Sequence, residues 1–193
     1  MNTIEKMKKG IQESMDVKAK ILQDEAFLST MEKALDKCVE AFKNNGRVYF
    51  CGNGGSAADA QHLSAELAGR FYINRPALFS EALHVNTSYL TAVANDFSYN
   101  EIYSRLVEAK VQKGDVLFCI STSGNSENIY LAAKKANEQG ATTIGFTGKG
   151  GGKIKEEVTL CLDIPSQDTA RIQEAHIVVG HLICELIESR LFQ

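Results

Sequence analysis

Short apolar runs that stop abruptly at glycine- and hydroxyl-rich loops constrain the fold of this chain more than any other feature. Arg47-Val48-Tyr49-Phe50-Cys51 runs straight into Gly52-Asn53-Gly54-Gly55-Ser56, after which Ala57–Gly69 reads as a helix. Asp115–Ile120 repeats the pattern, ends in Ser121-Thr122-Ser123-Gly124-Asn125-Ser126, and precedes a helix that Gly140 stops. Thr142–Phe146 and Thr159–Ile164 are two further runs, and Leu78–Val85 is a weaker one. Strands that are apolar at every position have no face to give to water. Alternating with helices, they predict a parallel sheet covered on both sides.

The ends of the chain are helical. Phe27, Met31, Leu35, Cys38 and Phe42 recur at three- and four-residue intervals, the stripe of an amphipathic helix. Ile4, Met7, Ile11, Met15 and Ile21 form a rougher stripe before it, so residues 1–45 read as a helical pair. Asp168–Leu191 reads as a long terminal helix. No repeat or linker divides the 193 residues, so they are expected to form one domain.

Composition removes several classes. The 21 basic and 24 acidic residues give a net charge of −3 with no basic block, which offers nucleic acid no footprint. No apolar run approaches the ~20 residues that cross a bilayer. The polar start Met1–Lys6 has no signal-peptide core, so a cytoplasmic protein is expected. Cys38, Cys51, Cys119, Cys161 and Cys184 are widely spaced, most of them inside apolar runs, and read as free buried thiols.

In open parallel sheets ligands bind beyond the carboxyl ends of the strands. Gly52–Ser56 lets a backbone approach a ligand, and the helix that follows offers free N–H groups. The loop lacks the lysine of a Walker A motif. Gly52-x-Gly54-x-x-Ala57 formally fits a dinucleotide fingerprint, but Leu78–Val85 is not followed by the ribose-binding acid. Ser121–Ser126 places four hydroxyls at a helix start. One hydroxyl suffices for a cap, so the surplus points to a phosphoryl group. Gly148–Lys153 reads as a plain mobile loop.

His62 and Glu66 share one helix face, a spacing open to a surface hydrogen bond or to a shared Zn²⁺. On the terminal helix Gln173 and His181 lie about 12 Å apart along a straight axis. They reach one ion only if Gln173 sits in an irregular first turn or different chains supply the two ligands. His176 points about 140° away from His181. It and His84 read as structural.

Together these segments resemble the sugar isomerase (SIS) fold and, within it, the phosphoheptose isomerases, which act on sedoheptulose 7-phosphate. The resemblance spans essentially the whole chain. It rests on Cys51–Ser56, Gln61-His62 with Glu66 and Gly69-Arg70, Asn95-Asp96-Phe97, Ser121–Ser126, Phe146-Thr147-Gly148 and Arg171-Ile172-Gln173-Glu174-x-His176. It implies an α/β three-layer α-β-α sandwich with a mostly parallel five-stranded sheet. It also implies a homotetramer in which the helices of residues 1–45 pack between subunits and the sites lie at subunit interfaces. His62, Glu66, Gln173 and His181 match the ligands of one Zn²⁺ per subunit. Asn53, Gly54, Gly55, Ser56, Glu66, Asn95, Asp96 and Gln173 match sugar contacts, and Ser121, Thr122, Ser123 and Ser126 match the phosphate cradle. The implied reaction converts sedoheptulose 7-phosphate to D-glycero-D-manno-heptose 7-phosphate, the first step of heptose synthesis for surface polysaccharide. Glu66 is its candidate base and His181 its acid/base. A related adaptor of the same fold binds the replication initiator protein and is the alternative reading. Its pattern lacks the acid at the position of Glu66 and the histidine at that of His181, both present here. A role for Asp168, in a variable segment, is left open.

Overall fold

A computed structural model describes residues 1–193. Five parallel strands form one sheet in the order β2-β1-β3-β4-β5, with β1 Val48–Gly52, β2 Ser80–Ala82, β3 Val116–Ser121, β4 Thr142–Thr147 and β5 Leu160–Asp163. Every residue of β1 and β3 is buried, as the unbroken apolar runs require.

Alternate strand residues feed two cores. Phe50, Phe118 and Phe146 point to one face, where they pack against α1 Thr3–Leu22, α2 Glu25–Lys43, α3 Gly55–Ala68 and α8 Thr169–Phe192. Phe50 and Phe118 stack with centroids 4.7 Å apart, and Phe146 meets Phe118 edge-on at 5.4 Å. Tyr49, Cys51, Leu117 and Cys119 point to the other face, covered by α4 Thr87–Asp96, α5 Ile102–Lys110, α6 Glu127–Glu138 and the single turn α7 Ile154–Glu157. The architecture is thus the expected α-β-α sandwich. No helix is long and apolar enough to cross a membrane. Four of the five cysteines are buried and all are free.

The structure shifts or narrows several of the expected strands, β5 among them, which keeps Leu160–Asp163 of Thr159–Ile164. Asp115 lies outside β3, where its buried carboxylate accepts the N–H groups of Arg47 (2.9 Å) and Gln112 (2.8 Å). β2 keeps only three residues of the weak run at Leu78–Val85. The Gly148–Lys153 segment is not the unattached loop expected of it. It is pinned by hydrogen bonds from Gly148 N to Thr122 O (3.0 Å), from Lys149 N to Ser166 O (3.0 Å) and from Lys153 N to Asn125 Oδ1 (3.1 Å).

The connections place the switch of chain direction between β1 and β3. The helix after β1 covers one face and the helix after β3 covers the other, while Gly52 pairs with Ile120 at the strand ends. A crevice opens at such a point because the two following helices diverge.

Candidate active site

The termini of the helices divide into two kinds. α1, α2, α4 and α8 each begin with a capping side chain, from Asn2, Asp24, Asn86 and Asp168. α3 and α6, which start at the crevice, have none, and neither do α5 and the single turn α7. Gly54 opens α3 at φ 57°, a conformation that disfavours any residue with a Cβ. Ser126 opens α6, yet its hydroxyl turns to Ser121 Oγ at 3.0 Å instead of capping. Ser123 Oγ lies 3.5 Å from Ser121 Oγ and accepts the Asn125 N–H at 3.1 Å. Two helix N-termini, one ringed by hydroxyls, thus meet at the crevice, an arrangement suited to an anionic or polyoxygenated ligand. The cap at α8 gives Asp168 a structural role, since its Oδ1 accepts from Ala170 N (2.9 Å) and Arg171 N (3.3 Å).

Asn53 joins the two mouths. Its side-chain amide exchanges reciprocal hydrogen bonds of 2.8 and 3.0 Å with Asn128 of α6, and Tyr99 Oη donates to Asn53 Oδ1 at 3.1 Å. Tyr103 Oη donates to the Gly52 carbonyl at the end of β1. Asn128, Tyr99 and Tyr103 escaped the sequence reading. The only available signal was the presence of an amide and phenols in otherwise apolar segments. Ser56 is buried, where it packs against Gly52. Asn95 and Asp96, at the end of α4, are exposed and hydrogen-bonded to each other at 2.8 Å.

Two to three turns along α3 the histidine and carboxylate meet a residue from the far end of the chain. His62 Nε2 stands 2.8 Å from His181 Nε2 and 3.3 Å from Glu66 Oε1. Ligand atoms from all three residues lie within 4.8 Å of one another. Two imidazole nitrogens and a carboxylate oxygen this close are a donor set that fits a divalent cation such as zinc. α8 is regular from Thr169, so Gln173 does not sit in an irregular first turn. Its amide instead lies over Gly55, at the mouth of α3. Burial pushes the nearby Asp59 carboxyl above its ordinary value, against the pull of Gln173, His62 and His181. His176, on the other side of α8, is buried with Nε2 3.1 Å from the Thr147 carbonyl, in keeping with a structural role.

The SIS domain family matches residues 11–148, which makes this an SIS-domain protein. A phosphoheptose isomerase from Clostridium acetobutylicum is 50% identical over 182 residues, 94% of this chain and 93% of the relative. The structure of the phosphoheptose isomerase from Neisseria gonorrhoeae matches with a TM-score of 0.91 at 38% identity, covering 97% of this chain and 100% of that one. The corresponding Francisella tularensis structure matches at 0.93 and 31% identity, covering 98% and 100%. The chain belongs to the phosphoheptose isomerase family and is an isomerase.

Proposed function

We propose that the chain interconverts sedoheptulose 7-phosphate and D-glycero-D-manno-heptose 7-phosphate, the first step of heptose synthesis for surface polysaccharide. The observation that carries this reading is the meeting of Glu66 and His181, from helices far apart in sequence, on the helix that leaves the first glycine loop. The adaptor alternative has no use for that pair.

The phosphate fits the α6 mouth, where Ser121, Thr122, Ser123 and Ser126 supply neutral donors and the helix supplies its positive end. Asn53, Gly54, Gly55 and Ser56 then line the path of the sugar toward α3, and Gln173, Asn95 and Asp96 are the remaining candidates for its hydroxyls. Forming the aldose removes one proton from C1 and adds one at C2, while a hydroxyl proton passes from O1 to O2. Glu66, part-buried at 25% side-chain exposure, is the base for the carbon proton, and His181 handles the oxygen proton. His62, Glu66 and His181, with Gln173 as a fourth candidate, would hold one Zn²⁺. Bound there, the ion supplies Lewis-acid polarisation of the sugar carbonyl. With the ion bound, Glu66 would divide its basicity between proton and metal.

A cytoplasmic homotetramer is part of this reading. Ile4, Met7, Ile11 and Met15 of α1 and Val178, Leu182 and Leu186 of α8 are exposed, a stripe that subunit contacts would bury. Such contacts also offer a second chain as the source of the ligand that the Gln173–His181 spacing leaves distant.

The test is incubation with sedoheptulose 7-phosphate and detection of an aldose product. Glu66→Gln and His181→Ala are each expected to lower kcat by about 10²–10⁴-fold, with the far-UV spectrum unchanged. No conversion by the unaltered chain would reject the reading, and full turnover in either variant would reject that residue's role.

A further inference from the structure

We propose that Glu188 is a positioning residue for the isomerase site, acting through Arg75 and the 69–76 loop to hold α3 and α8 in the register that brings Glu66 and His62 to His181. The inference rests on the reading of that cluster as the reacting centre.

Glu188 lies two turns beyond His181 on α8, in the buried stripe with Ile183, Cys184 and Ile187. Its carboxylate accepts three consecutive backbone N–H groups, from Phe71 (3.0 Å), Tyr72 (2.6 Å) and Ile73 (2.7 Å), and the Arg75 Nε–H (3.0 Å). The Arg75 guanidinium caps the other helix. It donates to the carbonyls of Glu66 (3.0 Å), Leu67 (2.8 Å) and Gly69 (3.1 Å), the acceptors that the end of α3 leaves without intrahelical partners. The two side chains are 1% and 2% exposed.

One ion pair thus grips the C-terminal turn of α3, where Glu66 sits, and the stretch of α8 that follows His181. The loop between them carries Phe71, whose ring lies 5.7 Å from the His181 ring. The helices are already in close approach upstream, where Gly180 faces Leu63 with no room for a Cβ. With that contact as a fulcrum, the Arg75–Glu188 clamp determines how α3 and α8 sit across the cluster.

Stability alone does not account for the pair. Buried ion pairs seldom outperform well-packed apolar replacements, because both charges must leave water. What this pair adds is direction: a fixed acceptor for three N–H groups of one loop and a fixed donor to three carbonyls of one helix end.

The experiment uses the full chain, unaltered and as Glu188→Gln and Phe71→Leu. Three quantities are measured: the thermal midpoint, kcat and KM on sedoheptulose 7-phosphate, and Co²⁺ affinity and absorption of the metal-free protein. Glu188→Gln is expected to lower kcat by about tenfold or more with KM within about twofold, and to weaken and shift the Co²⁺ spectrum. Phe71→Leu, which leaves the ion pair in place, is expected to reproduce the spectral shift and part of the kcat loss near the unaltered midpoint. If Glu188→Gln does not fold, Arg75→Lys, which keeps a cation beside Glu188 but loses the fork to the α3 carbonyls, is read in its place by the same criteria. Folded variants that keep both kcat and the Co²⁺ signature within about twofold overturn the proposal. An unaltered chain that binds Co²⁺ but leaves the sugar phosphate unchanged refutes the functional reading, and the Co²⁺ comparison still decides the positioning role.

Discussion

His176 makes the stability of this protein depend on pH in a calculable way. Its Nε2 faces the Thr147 carbonyl, which can only accept, so Nε2 carries the ring proton and Nδ1 is left with the lone pair. Nδ1 is buried and has no partner. A second proton would have to go there, in an apolar setting beside Phe146, whose ring is 5.4 Å away. Burial therefore pushes the imidazole down to about 4 from 6.5, against a smaller opposing effect of the Thr147 hydrogen bond. The unfolded chain takes up this proton near pH 6.5 and the folded chain does not. The stability contribution is complete above that value and drains away as pH falls toward 4. Each pH unit in that window is worth up to ~1.4 kcal/mol, so ~3 kcal/mol is lost across it. The non-titrating variant His176→Gln keeps a donor for Thr147. Glu188 behaves alike in both proteins. Burial raises its pKa, but the N–H groups of Phe71, Ile73 and Tyr72 and the Arg75 guanidinium outweigh that and hold it below the ordinary value. Its contribution is present above the unfolded carboxylate range, is lost as pH falls through the depressed value, and cancels in the difference. With no tryptophan in the chain, urea unfolding is followed by circular dichroism at fixed protein concentration, since assembly is linked to stability. Between about pH 6.5 and about pH 5 the unaltered chain should lose ~2 kcal/mol more than His176→Gln. Equal losses would refute the reasoning that Nδ1 cannot be protonated in the fold.

Gly55→Ala places a methyl group where the Gln173 amide lies. The amide is flexible, so the fold should survive with a midpoint within a few degrees, while turnover falls about tenfold or more; steady-state kinetics beside a thermal melt checks this. Gly124→Ala is different in kind: at φ 65° its Cβ would run into the backbone carbonyl of Gly151, which cannot yield cheaply. A loss of about 1–3 kcal/mol in urea unfolding and a raised KM are expected, because the serine loop and the Gly148–Lys153 segment are held together there. Asn128→Leu removes the reciprocal partner of Asn53, and a KM increase with kcat less affected would show that the amide pair orients the sugar-binding loop.

The sheet was legible because its signal is local. Strands buried on both faces read as unbroken apolar runs, and their loops announce themselves by glycine and hydroxyl content. α4 and α5 left no such trace. α4 buries only Val93, so it has no stripe, and α5 is short. At the site, His62 and Glu66 were visible as a same-face pair because helical periodicity relates them. Their partner His181 lies 119 residues from His62, and only the packing of α8 on α3 joins them. Of the two explanations for the Gln173 spacing, the regular α8 removes the irregular first turn.

Glu188 shows what a sequence signal of this kind amounts to. A carboxylate within the apolar stripe Ile183, Cys184, Ile187 contradicts its surroundings, and burial of such a group demands partners. The contradiction says that a compensating cation and donors exist, but not which, since Arg75 is 113 residues away. The same logic explains how a chain of net charge −3 can receive an anionic sugar phosphate. The crevice offers neutral devices: hydroxyls at Ser121, Ser123 and Ser126, and two helix starts without a side-chain cap at the switch point. Turning the Ser126 hydroxyl away from the start of α6 forgoes a cap of about 1 kcal/mol, whereas at α3 the glycine at the cap position loses only about a few tenths.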